Sequence, residues 1–252
     1  MNKQSLNLFT LFIIFTLFST TLFAQPSVDE TKAKLITAWE KQKTISADIS
    51  ADATLPVNNV NLKLKGIGEL WVQREGDKEK YMQKISAFPA TLVESGDTSL
   101  LNNPFAQAHV FFDGTDYYVT YKLLTNQETF KTPPDITKGS IPPGGKNLFD
   151  VIKDKVDITV KPETEYDGKK MITLQLTPKQ GQTGDFQGAY VLMDPDIGIM
   201  RKLEILGKDL TPMFTCEFKN VKTDVKIPDG TFVVPSPPTE NTSTPNQTEP
   251  KK

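Results

Sequence analysis

One stretch, Leu62 to Arg74 (LKLKGIGELWVQR), constrains the fold of this chain more than any other. Leu62, Leu64, Gly66, Gly68, Leu70, Val72 and Arg74 share one face of it, and the intervening Lys63, Lys65, Ile67, Glu69, Trp71 and Gln73 share the other. Strict period-two alternation over such a run makes a β-strand with one apolar side. Gly66 and Gly68 remove side chains from that side, which marks a bend, a bulge or a close approach of other backbone. Arg74 ends the apolar face with a guanidinium. It must lie at a solvated mouth or find acceptors, because burying an unpaired charge is costly.

The N-terminus reads as an export signal. Lys3 is followed by a nearly continuous apolar run from Leu6 to Phe23, and Ala24 offers a small residue before Gln25-Pro26. Cleavage after Ala24 is expected, with residues 1–24 removed. A membrane anchor would be the alternative for a run of this length. The single cysteine, Cys216, lies far from the cleavage point, so neither a lipid anchor there nor an internal disulfide is available. It alternates with Phe214 and Phe218 and reads as an inert buried thiol. The 29 basic and 31 acidic residues nearly cancel, and no basic stripe suggests nucleic acid.

Along the mature chain, Ser27 with Glu30 forms a capping box for an amphipathic helix expected over Ser27 to Ile45, its apolar stripe carried by Val28, Leu35 and Trp39. Strands then dominate: 46–57, the central strand, 80–88 after the Glu75-Gly76-Asp77-Lys78 turn, and a hairpin about Asp113-Gly114-Thr115-Asp116. Residues 89–107 read as irregular. Residues 125–146, with Pro133-Pro134, Pro142-Pro143 and Gly144-Gly145, read as one long loop feeding a short helix from Asn147 to Lys155. The second half is a series of hairpins turning at Asp167-Gly168 and Asp194 to Gly198, and residues 236–252 are a polar tail. The domains are therefore a signal peptide (1–24), one folded domain (25–235) and the tail. The expected class is mainly β with α. It is an open antiparallel barrel of roughly nine to eleven strands, covered by an N-terminal helix and a mid-chain lid helix.

No catalytic set emerges. The one histidine, His109, has no cysteine or second histidine to share a metal, and no nucleophile elbow, phosphate loop or dinucleotide fingerprint is present. Glu163, Glu165 and Asp167 crowd a hairpin turn and read as a solvated acidic tip. Nothing in these patterns leads one to expect an enzyme, a metal or a cofactor; a binding protein is the better reading.

Four motifs resemble, in order, the periplasmic lipoprotein-carrier (LolA-like) family. They are Gly68-Glu69-Leu70-Trp71-Val72-Gln73-Arg74, the Phe112 to Tyr118 hairpin, the Asp194-Pro195-Asp196-Ile197-Gly198 turn, and the closing Ile227 to Pro235 segment. Glu75 and Lys78 depart from the family's proline and aromatic after the arginine. The resemblance implies a half-barrel whose arginine, here Arg74, bonds a lid in the empty state. It implies a soluble periplasmic carrier of the acyl chains of a lipoprotein or lipid, with an inner-membrane donor and an outer-membrane acceptor; a monomer is the expected state, with no oligomerisation signal in the sequence. Leu62, Leu64, Leu70, Val72, Arg74, Phe112, Phe149, Ile152 and Leu174 are the expected lining of a hollow interior, with carbonyls of residues 139–155 as the partners of Arg74. The alternative is a non-carrier periplasmic binding or regulatory protein that senses envelope lipid or a protein partner.

Overall fold

The computed structural model describes residues 26–57, 60–76, 78–95, 104–123, 126–131, 133, 141–180 and 186–233. The expected export signal and polar tail lie outside those residues. Among the described residues, eleven strands form one antiparallel sheet: β1 (Thr44–Val57), β2 (Val60–Glu75), β3 (Lys78–Pro89), β4 (Ala106–Phe112), β5 (Tyr117–Leu123), β6 (Asn126–Lys131), β7 (Val156–Tyr166), β8 (Lys169–Pro178), β9 (Gly188–Met193), β10 (Met200–Leu206) and β11 (Pro212–Thr223). Their order is β6-β5-β4-β3-β2-β1-β11-β10-β9-β8-β7, so β6 and β7 are free edges and the barrel stays open. Three helices accompany them: α1 (Val28–Glu40), α2 (Ala90–Glu94) and α3 (Gly145–Ile152). This is the helix-covered half-barrel expected from the alternation pattern.

Pairing carries the face assignment across the sheet. Arg74, Val72 and Leu70 of β2 stand opposite Glu79, Tyr81 and Gln83 of β3, and Tyr81 stands opposite Phe112 of β4. On the other side Ile45, Ala47 and Ile49 of β1 continue the same face. Leu35 and Trp39 of α1 and Leu148, Phe149 and Ile152 of α3 pack on it, making one core with Leu174, Val191 and Leu203 from the second half. The inner face is therefore filled largely by the helices.

Gly68 explains its own place in β2. A Cβ there would overlap the carbonyl oxygen of Lys84 on β3, and at Gly66 it would lie 3.0 Å from Ile85 Cγ2 and 3.1 Å from Ala51 Cβ. The two glycines let neighbouring strands approach where the sheet coils.

Four boundaries differ from the sequence reading. Helix α1 starts at its capping box but stops at Glu40, because Ile45 is drawn into β1 between Val72 and Thr223. Helix α3 begins at Gly145 and ends at Ile152, since Lys153 to Lys155 turn the chain into β7. The expected loop from residue 125 contains strand β6, which pairs with β5 from Leu123↔Asn126 to Tyr118↔Lys131. As an exposed edge, β6 needs little apolar alternation and shows little. The irregular stretch after Pro89 holds the short α2. Past β11, the chain folds onto the outer face: Asp224 donates its N–H to the Thr44 carbonyl at 3.0 Å, and Phe232 meets Phe111 at 6.4 Å between ring centres.

Candidate functional site

The Gly76 turn puts Arg74 and Glu79 opposite one another on the inner face. Glu79 is 8 % exposed and gathers donors from three elements. Its Oε2 accepts the Trp39 indole N–H of α1 at 2.6 Å and a guanidinium N–H of Arg74. Its Oε1 accepts the Asn147 side-chain amide of α3 at 3.2 Å. The other arm of Arg74 donates to the carbonyl of Trp39 and, at 3.2 Å, to that of Gln42. The guanidinium carbon lies 5.4 Å from the Trp39 ring centre, a cation–π contact.

This cluster corrects the expected latch. Arg74 points inward as its parity requires, but its partners are the carbonyls of Trp39 and Gln42 and the carboxylate of Glu79 rather than carbonyls of residues 141–155. Residues 139 and 140 of the expected segment lie outside the described residues. The physical reason is that carbonyls at the end of α1 carry the negative end of the helix dipole, and the Trp39 carbonyl accepts Arg74 with its second lone pair beside the Gln42 N–H at 3.1 Å. The mid-chain helix is held at one remove, through Asn147 on Glu79. Glu79 escapes the sequence reading, although its register opposite Arg74 across a tight turn is the available signal.

Trp39 is also the seat of the lid's first turn. Gly144 bridges to Ile199, and the Met200 N–H donates to the Pro143 carbonyl at 2.7 Å. A Cβ at Gly144 would come within 2.7 Å of Trp39 Cε3, and one at Gly145, with φ +68°, would overlap its Cδ1. Only glycine fits between the indole and the β9–β10 turn. Beneath Glu79 lie Tyr81, Phe112 and Tyr117, with Phe112 and Tyr117 stacked at 4.4 Å. Burial raises the Tyr81 phenol and pushes Tyr117 up to about 12, so both stay neutral at physiological pH.

The structure brings six of the expected lining residues together. Leu70, Val72, Phe112, Phe149, Ile152 and Leu174 belong to one core, each under a tenth exposed. They pack against the helices rather than around a hollow. Leu64 is buried outside that core and Leu62 is half-buried. A half-open cavity of about 850 Å³ lies elsewhere, between the first half of α1 and strands β7 and β8, with Val160 and Ile172 in its wall. None of the expected lining residues borders it.

The remaining candidates have structural settings. His109 is half-buried on the outer face opposite Lys84, and desolvation followed by that lysine lowers its pKa. Asp167 accepts from Arg201 at 3.2 Å, tying the β7–β8 turn to β10. Cys216 is buried, and desolvation pushes its thiol up to about 12. It should not react with a disulfide-exchange reagent at pH 8 until urea unfolds the chain. Rapid labelling of the native protein would contradict its burial.

No family model matches the chain, and no curated protein matches it. Solved structures do. MucB is 12 % identical with a TM-score of 0.47, over 82 % of this chain and 62 % of that one. A structure described as an outer membrane lipoprotein-sorting protein domain, from Vibrio parahaemolyticus, is 7 % identical at a TM-score of 0.40, over 81 % of this chain and 94 % of that one. A LolA superfamily protein from Nitrosomonas europaea is 9 % identical at 0.30, covering 81 % and 97 %. LolA-superfamily structures are among those similar to this fold. The chain spans about three fifths of the MucB chain. Among the described residues no helix is long and apolar enough to cross a membrane.

Proposed function

We propose that this chain is a non-enzymatic periplasmic carrier that shelters acyl chains of a lipoprotein or lipid between its helices and the inner face of its half-barrel. The observation that carries the reading is the Glu79 cluster. One buried carboxylate pins both α1 and α3 over a mostly apolar face, so releasing a few polar contacts would bare Leu70, Val72, Phe112 and Leu174 together. Each methylene such a face covers is worth about 0.8 kcal/mol, which makes an exposed acyl chain unfavourable enough in water to drive opening. The closed form is then the empty state, and binding selects the open one.

A second reading, a periplasmic binding or regulatory protein that does not carry cargo, is favoured by the packing of the expected lining against the protein's own helices. Titration with a fluorescent fatty acid separates them. A carrier should give saturable fluorescence that diacyl lipid competes away. The carrier reading fails if neither the native protein nor a variant with its Glu79 contacts removed binds the probe.

A further inference from the structure

The cavity beside α1 has a composition that the core does not share. Its wall is apolar at Val160 and Ile172, and Pro26 and Pro162 extend that surface. Three lysines from three elements border it, Lys34 of α1, Lys161 of β7 and Lys170 of β8. None of the three makes an ion pair or side-chain hydrogen bond among the described residues, whereas Lys65, Lys131, Lys153 and Lys219 each do. Two carboxylates share the lining. Glu30 is engaged by the N–H and hydroxyl of Ser27, both at 3.0 Å, and Glu163 is the free one among the described residues. Thr31 also lines the cavity; it is 4 % exposed, and its hydroxyl has no hydrogen-bond partner among the described residues. That hydroxyl is itself sealed from solvent, so it faces the packed wall and not the open cavity.

From this we infer that the cavity is the headgroup site of an anionic amphiphile, its carboxylate or phosphate among Lys34, Lys161 and Lys170 and its chain running over Val160 and Ile172 toward the core. The inference rests on the acyl-binding reading and adds the class of head that the protein prefers. The volume of about 850 Å³ suits a ligand of this kind, since small-molecule sites span roughly 300–1,000 Å³. Val160 and Ile172 belong to the same core as Leu174, so a chain entering here would reach the inner face directly.

The test displaces the neutral probe N-phenylnaphthylamine from the full mature chain with two amphiphiles of one chain length. These are palmitoyl lysophosphatidylglycerol, which is anionic, and palmitoyl lysophosphatidylcholine, which is zwitterionic. The anionic one should displace at about tenfold lower concentration, and the advantage should shrink in high salt. In Lys34→Gln/Lys161→Gln/Lys170→Gln the two should fall within about twofold, while Glu163→Gln should widen the gap. Equal displacement by both from the native chain overturns the headgroup site and leaves acyl binding standing. Displacement by neither overturns acyl binding itself. If glycerol phosphate alone removes the anionic advantage, the cavity takes a free anion and the amphiphile is overturned.

Discussion

Glu79→Ala should lower the stability of the folded chain by about 3–5 kcal/mol, the usual cost of stripping one partner from a buried ion pair. Arg74 and Glu79 side chains are only 12 % and 10 % exposed, so water cannot readily replace the lost carboxylate. The substitution also strands the Trp39 indole N–H and the Asn147 amide, each of which donates to Glu79. Urea unfolding followed by tryptophan fluorescence reads the loss directly. Glu79→Gln keeps the shape and one acceptor and should cost less, about 1–3 kcal/mol. Arg74→Met combined with Glu79→Met should recover much of the single-site loss, because removing both charges together is often nearly neutral. A Glu79→Ala loss under about 1 kcal/mol would make the cluster an ordinary wet ion pair, with no hold on the helices.

Gly145→Ala should be the second large effect, about 2–5 kcal/mol, since it combines a left-handed backbone with overpacking. The residue has φ +68°, and its new Cβ would also lie 2.5 Å from the Trp39 ring nitrogen. Gly76 is the matched control, with φ +61° and no atom within 4 Å of where an added methyl would sit. Gly76→Ala should therefore show the backbone cost alone, and the difference between the two thermal melts isolates the contact with the indole. Relief of that contact requires α3 to lift, so Gly145→Ala should also bind N-phenylnaphthylamine more strongly than the native chain. Equal melts for the two variants would mean that the lid's first turn yields without strain.

The half-barrel is legible because its signals are local and repeated. The alternation of β2, the capping box of Ser27 and Glu30, and the Gly76 and Gly168 turns each specify their elements without help from distant residues. Strand β6 is not legible, since NQETFK at a free edge buries almost nothing and so carries no pattern. The end of α1 is hidden for the opposite reason: Ile45 has helical spacing, but its partners in β1 come from β2 and β11. The site divides in the same way. Parity alone aims Arg74 inward, whereas its acceptors depend on how α1 docks across the sheet. The cavity is invisible, because Lys34, Lys161 and Lys170 look like any solvated lysines until the fold gathers them.

The single join between β1 and β11 has a consequence for the order of assembly. Every other strand pairing in the sheet links neighbours along the chain and can form as soon as its own hairpin is complete. The β1–β11 ladder links the first strand to the last, and closing so long a loop is the step that topology makes slow. Until β11 has been made and reaches β1, the two meanders are separate ribbons, and Leu35 and Trp39 have only part of their shared core to settle on. A chain built this way stays unfinished until its end arrives.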